Sequence, residues 1–116
     1  MTGLLSRLLR RDPDALPRTV RVDRAMTLLD DGAVLLDVRE PAEWRTGHAP
    51  RARHVPLDRL DREARRLRAE VPVVVMCASG MRSRTAAARL RATGLRATSL
   101  SGGLMAWRRA GGPVTR

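Results

Sequence analysis

Apolar residues along the chain fall into short blocks separated by charged residues and glycines. The most continuous block is Val73–Met76, four apolar residues without polar alternation. A run of this kind indicates a strand buried on both faces, as in a parallel sheet. Residues 33–37 have the same character, and residues 19–22, 54–55 and 96–100 are further candidate strands. Short strands that alternate with helical segments predict one α/β domain with a mainly parallel sheet.

The segments between these strands carry the signals of helices. Asp23 can cap a helix that runs to about Asp30, and Glu40 with Pro41 can open a short helix. Residues 57–70 are highly charged, with a narrow apolar stripe that predicts a surface helix. Two more helices are expected, one from Ser83 to just before Gly94 and one after the turn at Gly102 and Gly103.

The N-terminal segment combines leucines with arginines. Leu4, Leu5, Leu8 and Leu9 fall on one helical face. A helix of this kind can bind a membrane surface or a partner protein, but a frayed terminal extension is the favoured interpretation. The expected organisation is an extension and linker at residues 1–18, a folded domain at 19–113 and a tail at 114–116.

Length and charge narrow the possible functions. A chain of 116 residues is long enough for one core and too short for two. Its formal charge of +11 comes from 23 basic residues, all arginine, against 12 acidic ones. Such a charge suggests nucleic acid, but the arginines are scattered and only two aromatic residues, both Trp, could stack on bases. We therefore expect no nucleic-acid partner, and an attraction for anionic substrates or acidic proteins.

Cys77 is the only cysteine, which excludes an internal disulfide and a Cys-rich metal site. We expect no metal and no cofactor. A single thiol is compatible with a reducing compartment, so a cytoplasmic location is expected. The apolar stretches are too short to span a membrane, and the leucines near the N-terminus are interrupted by arginines, unlike a signal peptide.

The position of Cys77, directly after a buried strand and before a helix, has chemical consequences. Ligand sites of open α/β sheets form beyond the carboxyl ends of the strands, and the first amides of a helix favour negative charge. Arg82 adds a positive charge, and the small residues 78–80 allow an anion to approach the backbone closely. A lone cysteine after an apolar strand is also typical of an inert core residue. The loop and the helix favour a reactive thiolate over that alternative.

Six short pieces of sequence follow one another through the chain. They are D-V-R at 37–39, E-P-A-E-W at 40–44, G-H at 47–48, R-H-V-P-L at 53–57, C-A-S-G-M-R-S at 77–83 and G-G-L-M-A-W at 102–107. Each piece alone is a weak signal, but in this order they resemble a rhodanese domain over roughly residues 19–112. The resemblance implies a rhodanese-like three-layer sandwich, with a mainly parallel five-stranded sheet and helices on both faces.

The resemblance also implies sulfur transfer. Cys77 would accept a sulfane sulfur, hold it as a persulfide and pass it to a thiophilic acceptor. The implied partners are a small anionic sulfur donor and a thiol or cyanide acceptor, and a sulfur-relay protein is a further candidate. Asp37 and Arg39 would support the loop, and Trp44 would pack close by. The implied substrate-binding residues are those of the loop and the helix start: Ala78, Ser79, Gly80, Met81, Arg82 and Ser83.

Several of these residues have equally simple structural interpretations. Asp37 can satisfy the backbone amides of its own turn, and Arg39 can form an ion pair with Asp37, Glu40 or Glu43. His48 is a candidate general base, although its Gly-His segment resembles a structural element of the family. Trp107 is expected in the core.

Two other functions share the expected fold. A non-catalytic binding module needs no thiol loop, so Cys77 and its loop argue against that function. Cysteine phosphatases typically place an arginine six positions after the cysteine, whereas Arg82 comes five positions after Cys77 and Ser83 occupies the sixth. The shorter spacing favours sulfur transfer. The chain departs from the family at Ala49, where a bulky apolar residue is common, and at Arg51, where a glycine is common and a positive φ would be costly.

Overall fold

A single parallel sheet forms the centre of the computed structural model, which describes residues 15–116. The strands lie in the order β1-β5-β4-β2-β3, and every neighbouring pair is parallel. The leucine- and arginine-rich segment, interpreted as a frayed terminal extension, lies outside the described residues. The strands are β1 (Thr19–Val20), β2 (Val34–Asp37), β3 (Ala52–His54), β4 (Val73–Met76) and β5 (Ala97–Leu100).

Helices connect the strands as parallel pairing requires. They are α1 (Val22–Asp30), α2 (Pro41–Thr46), α3 (Leu60–Glu63), α4 (Met81–Ala92) and α5 (Gly103–Arg109). Two 3₁₀ turns, Leu57–Arg59 and Ala64–Arg66, flank α3. The predicted three-layer α/β fold with a five-stranded sheet is confirmed.

The two layers of helices cover opposite faces of β4. Because successive side chains of a strand point to opposite faces, Val73 and Val75 enter one apolar cluster while Val74 and Met76 enter the other. All four side chains are fully buried, as the unbroken apolar run predicted. The first cluster includes α3 and α4, and the second includes α1 and α5 with the buried Trp107. The central strand therefore holds the residue that follows it, Cys77, between two packed layers.

Two helices begin earlier than predicted. The N-cap of α1 is Arg21, not Asp23, and it makes no side-chain capping bond. Asp23 lies within the first turn, where a carboxylate is favoured by the helix dipole. Helix α4 begins at Met81 instead of Ser83, because Gly80 adopts a φ of +110° and turns the chain directly into the helix. Ser83 is therefore the third residue of α4.

The charged helix predicted over residues 57–70 is instead three short pieces that end at Arg66. The spacing of its apolar residues is compatible with the break, although a continuous helix would tolerate the same spacing. Leu57 and Leu60 are three residues apart, Leu60 and Ala64 are four apart, and Ala64 and Leu67 are three apart. A 3₁₀ turn aligns side chains three apart, and an α-helical turn aligns those four apart. The 3₁₀–α–3₁₀ sequence thus places all four residues against the same cluster.

Candidate active site

The site lies at the carboxyl ends of the two central strands. In the β2–β4 register Asp37 pairs with Met76, and in the β2–β3 register it pairs with His54. Cys77, which follows Met76, is therefore brought beside the segment that follows Asp37. The N–H of Val38 donates to the Met76 carbonyl over 3.0 Å and continues the pairing beyond the strands. Parallel topology thus gathers three of the sequence pieces described above at one edge of the sheet.

The sulfur of Cys77 is surrounded by hydrogen-bond donors. The backbone N–H of Gly80 points at Sγ over 3.1 Å and that of Ser83 over 3.3 Å, and Ser83 Oγ lies 3.5 Å away. Burial of the thiol raises its pKa, but the hydrogen bonds from the Ser83 side chain and from the backbone of Ser83, Gly80 and Ser79 outweigh it. The pKa of Cys77 is therefore below that of an ordinary cysteine, which enlarges the thiolate fraction. The residue is only 1% exposed.

A short chain of hydroxyl groups extends from the sulfur into the sheet. Ser83 Oγ lies 2.7 Å from Ser99 Oγ, and both residues are fully buried. The Ser83 hydroxyl has one proton, and it also lies within 3.1 Å of the Gly80 carbonyl. When Cys77 is a thiolate, that proton is best directed at sulfur, and Ser99 then donates to Ser83 Oγ. Ser99 was not predicted, although a small polar residue within a buried strand was a visible signal.

Helix α5 holds the backbone of the thiol loop in place. The N–H of Leu104 donates to the Cys77 carbonyl over 2.8 Å, and that of Met105 donates to the Ala78 carbonyl over 3.2 Å. Gly103 allows this approach, because a Cβ there would overlap the Cys77 carbonyl oxygen and the Ala78 backbone. Both carbonyls of the thiol loop therefore bond to the first turn of α5. This contact explains why the G-G-L-M-A-W piece accompanies the thiol loop.

Asp37 and Arg39 form a buried ion pair next to the loop. Arg39 Nε lies 2.9 Å from Asp37 Oδ1 and Arg39 Nη2 lies 2.7 Å from Oδ2, with the two residues 3% and 0% exposed. The same guanidinium donates to the carbonyls of Gly47 and Glu43. Of the partners considered for Arg39, Asp37 is the one it binds through its carboxylate. The pair ties β2 to α2, and its contacts with the thiol loop pass through Glu43.

Glu43 connects this buried pair to the thiol loop. Its carboxylate binds Arg82 through two bonds, Nη1 to Oε1 at 2.6 Å and Nη2 to Oε2 at 2.8 Å. Hydrogen bonding to Arg82, despite burial, lowers the pKa of Glu43 to about 2, and the same bonds raise the pKa of Arg82 above its ordinary value. Both side chains are about one third exposed. The sequence pattern indicates Glu43 only as a candidate partner of Arg39 and gives no sign of its pairing with Arg82.

Trp44 forms a stack with two histidines. Its ring lies parallel to that of His48, with centroids 3.5 Å apart, and to that of His54 at 4.6 Å. His48 Nδ1 is 2.9 Å from the Trp44 carbonyl oxygen, and His54 Nε2 donates to the Arg39 carbonyl over 2.7 Å. Within residues 15–116 no histidine is a hydrogen-bond partner of Cys77. The stack holds the segment between α2 and β3 in place. Because the contacts of His48 are with Trp44 and not with Cys77, they do not support a role for His48 as a general base.

Arg51 meets its position without the positive φ expected of a glycine, because no non-glycine residue in the described range has one. Its guanidinium instead donates to the Leu29 carbonyl over 2.8 Å and to Asp30 over 3.0 Å. The Leu29 carbonyl belongs to the last turn of α1 and also accepts the Gly32 N–H over 3.1 Å. The departure at Arg51 therefore secures the end of α1.

The described residues contain no group of three or more His, Cys, Asp or Glu side chains that could hold a metal ion. None of the helices between residues 15 and 116 is both long and apolar enough to cross a membrane.

The site therefore consists of the Cys77 thiol, the backbone N–H groups that donate to its sulfur, and the Arg82 cation, which is already paired with Glu43.

A model of the Rhodanese-like domain family matches residues 21–110. The chain belongs to the rhodanese-like domain family. It is 40% identical over 76 residues to the uncharacterized protein YqhL of Bacillus subtilis, a match that covers 65% of this chain and 60% of that protein. The chain therefore spans less than two thirds of the length of this curated relative.

Solved structures show the same fold. A rhodanese-related protein from Thermoplasma volcanium matches with a TM-score of 0.77 and 28% identity, over 85% of this chain and 98% of that one. Reduced CoADR-RHD from Bacillus anthracis matches with a TM-score of 0.71 and 28% identity, over 77% of this chain but 16% of that one. A Rhodopseudomonas palustris protein of unknown function, described as a possible tyrosine phosphatase, matches with a TM-score of 0.73 and 28% identity, over 84% of each chain.

Proposed function

We propose that the chain is a rhodanese-type sulfurtransferase that carries sulfur as a persulfide on Cys77. The observation that supports this most directly is the set of groups around Sγ: the backbone N–H groups of Gly80 and Ser83 donate to the sulfur, and the Ser83 hydroxyl lies 3.5 Å away, where it can donate once Cys77 is a thiolate. These groups stabilise a thiolate before the reaction. They are also placed to stabilise the negative outer sulfur of a persulfide after it.

In the first step the Cys77 thiolate attacks the sulfane sulfur of a donor such as thiosulfate. A bond forms between Sγ and that sulfur, the S–S bond of thiosulfate breaks, and sulfite leaves with the electron pair. Cys77 then holds an outer sulfur with one negative charge. Its binding site consists of the N–H groups of the loop and the first turn of α4: Ala78, Ser79, Gly80, Met81, Arg82 and Ser83.

In the second step an external nucleophile removes the sulfur. Cys77 is the only cysteine, so no internal thiol can resolve the persulfide as a disulfide. Cyanide, a small thiol or a partner protein's cysteine attacks the outer sulfur, and the electron pair of the broken S–S bond returns to Sγ. Kinetics at varied acceptor should be of the double-displacement type, with parallel lines in double-reciprocal plots. Intersecting lines would contradict this two-step scheme.

Phosphatase activity is the competing function, since one structural relative is described in that way. Two features disfavour it in this chain. Arg82 comes only five positions after Cys77, and both of its terminal nitrogens bind Glu43. A cysteine phosphatase needs that guanidinium for the phosphate oxygens, so a bound phosphate would have to displace Glu43 within a tight loop.

The decisive experiment is the intact mass of the protein after treatment with thiosulfate or an organic persulfide. The wild type should gain one sulfur atom, and cyanide should remove it with release of thiocyanate. Cys77→Ser, confirmed as folded by its circular dichroism spectrum, should gain nothing and transfer nothing. Sulfur transfer by Cys77→Ser would place the nucleophile elsewhere. Rapid hydrolysis of an aryl phosphate that is lost in Cys77→Ser would replace sulfur transfer with phosphatase chemistry.

A further inference from the structure

The cation of the thiol loop already has an anion bound to it. Arg82 places Nη1 and Nη2 on the two oxygens of Glu43, at 2.6 and 2.8 Å. These paired donors are the ones with which an arginine binds a small oxyanion. Because the pKa of Glu43 is lowered to about 2 by the Arg82 hydrogen bond, Glu43 remains a carboxylate throughout the neutral range.

The local charge at the loop therefore differs from the charge of the whole chain. The chain carries a formal +11, but the charge of Arg82 is matched by Glu43. Glu40 also lies close enough to contribute to the raised pKa of Arg82, as does a thiolate at Cys77. The Arg82 cation thus interacts with two carboxylates and with the thiolate itself. A donor with two negative charges gains less from this arrangement than it would from an unpaired arginine.

The ion pair is not a fixed part of the core. Arg82 is 36% exposed and Glu43 is 34% exposed, so water and solutes reach both side chains. An exposed pair of this kind is weak, and a dissolved anion can compete for the guanidinium. Glu43 itself is held in position by α2, since its Oε1 also accepts the Glu40 N–H over 3.0 Å in a capping box. Glu43, which α2 holds next to Arg82, therefore competes with an anionic sulfur donor for the Arg82 guanidinium.

We propose that Glu43 is a specificity-determining residue that, by occupying Arg82, disfavours dianionic donors such as thiosulfate and favours persulfides of thiols. This inference rests on the proposed function. A thiol persulfide, R–S–SH, needs no cation for an oxyanion group. The Cys77 thiolate attacks its outer sulfur, the S–S bond breaks, and the leaving thiolate takes up the proton to become R–SH. The outer sulfur of the new persulfide is held by the loop N–H groups, not by Arg82.

A first test measures access of anions to Cys77 without sulfur chemistry. Iodoacetate and iodoacetamide have similar size, differ in charge and both react with thiolates, so the ratio of their rates at Cys77 reports local electrostatics. In Glu43→Gln this ratio should rise about three- to tenfold, the scale of one exposed ion pair. Glutamine retains an oxygen for the Glu40 N–H, and urea unfolding of the variant checks that the fold is intact.

Glu70→Gln is the matched control for this test. It also removes one carboxylate that pairs with an arginine, Arg68, in a pair that is well exposed. If only the net charge of the protein mattered, both variants would raise the ratio equally. We expect the ratio of Glu70→Gln to stay within about twofold of the wild type. An unchanged ratio in Glu43→Gln, or an equal rise in both variants, would overturn the proposal.

A second test compares donors by the rate of persulfide formation. The donors are thiosulfate, the persulfide of 2-mercaptoethanol and a persulfidated cysteine in a short neutral peptide, the last to distinguish a protein-borne donor from a free one. Glu43→Gln should lower KM for thiosulfate about three- to tenfold relative to KM for the two persulfides. In an Arg82→Ala background this gain should vanish, because the guanidinium that Glu43 blocks is gone. A gain that persists would refute the action through Arg82.

The two tests also separate this inference from the proposed function. If no donor adds sulfur to any variant while the alkylation ratio changes as expected, the sulfurtransferase function fails and the electrostatic role of Glu43 stands. If donors add sulfur but Glu43→Gln leaves both the donor preference and the alkylation ratio unchanged, the function stands and the role of Glu43 is rejected.

Discussion

Two arginines near the thiol each bind one carboxylate through paired nitrogens, but in different surroundings. Arg39 and Asp37 are almost fully enclosed, whereas Arg82 and Glu43 are about one third exposed. Arg39 uses its remaining donors on the backbone carbonyls of Gly47 and Glu43. Among residues 15–116 the Arg82 side chain donates to no backbone carbonyl, and it lies in the first turn of α4, beside the thiol loop. Both pairs join an arginine to a carboxylate. Removing the arginine would leave an unpaired carboxylate that is buried at Asp37 and partly exposed at Glu43.

We expect burial, not hydrogen-bond geometry, to separate a structural ion pair from a selective one. A buried pair repays its desolvation only while both partners are present, so losing one leaves a costly bare charge. An exposed pair contributes little to stability, but its cation is available to a solute. We therefore expect Arg39 to affect folding and Arg82 to affect substrate.

The largest effect is expected for Arg39→Ala, which leaves the carboxylate of Asp37 buried without its partner. The free energy of unfolding should fall by about 3 to 5 kcal/mol, measured by urea denaturation. Arg68→Ala removes an arginine from an exposed pair with Glu70. This control should change the free energy of unfolding by less than about 1 kcal/mol. Equal losses in the two variants would end the distinction between the pairs.

Arg82→Ala should show the opposite balance. Stability should fall by less than about 1 kcal/mol, since the pair is exposed. Persulfide formation from thiosulfate should lose about 1 to 2 kcal/mol of transition-state stabilisation, or roughly five- to thirtyfold in kcat/KM. Arg82→Lys should recover part of this loss, because it restores charge without the planar fork. A variant that unfolds more easily but transfers sulfur normally would assign Arg82 to structure.

Ser83→Ala tests how much the Ser83 hydroxyl, an uncharged group next to the sulfur, contributes to the pKa of Cys77. It removes the hydroxyl that lowers the pKa of Cys77, and it leaves the buried Ser99 hydroxyl without its 2.7 Å partner. The pKa of Cys77 should rise, so the pH profile of iodoacetamide alkylation should move to higher pH. The unfolding free energy should fall by about 1 kcal/mol, the scale of one hydrogen bond. An unmoved alkylation profile would mean that the backbone N–H groups alone set the thiol pKa.

The smallest effect is expected for the stability of the protein at acidic pH. The pKa of Glu43 is about 2 in the folded chain, below its ordinary 4.5. A depressed carboxyl pKa stabilises the folded state above the unfolded pKa, and this contribution is lost as the pH falls from about 4.5 towards 2. Because the pair is exposed, we expect less than about 1 kcal/mol. The difference in unfolding free energy between wild type and Glu43→Gln should therefore shrink over that window. A constant difference would show that the carboxylate is not the source.

Local sequence was sufficient for most of the sheet and for the identity of the thiol. The unbroken apolar run at Val73–Met76 could only be buried on both faces, and the structure has it as the central strand with those bounds. Glu40 and Pro41 predicted the start of α2, which carries a capping box. These features depend on neighbours within a few residues, which is the range that a sequence pattern reports.

Helix starts were less predictable, because they depended on backbone that the pattern does not encode. Gly80 opens α4 with a positive φ, two residues before the predicted start at Ser83. The 3₁₀ turns around α3 follow the three-residue spacing of Leu57 to Leu60 and of Ala64 to Leu67. That spacing was visible in the sequence, but a helix tolerates it as well, so only packing against the sheet decided between them.

The sequence alone determined that this is an α/β chain with one cysteine at the end of its central strand. Only the tertiary structure decided which residues surround that cysteine. Ser99 is 16 positions from Ser83 and Glu43 is 39 positions from Arg82, yet both pairs are in contact. Parallel pairing brings together strand ends that are distant in the chain, and no local pattern records which side chains then meet. The position of the Cys77 thiol could be predicted from the sequence, whereas the pairing of Glu43 with Arg82 became visible only in the folded structure.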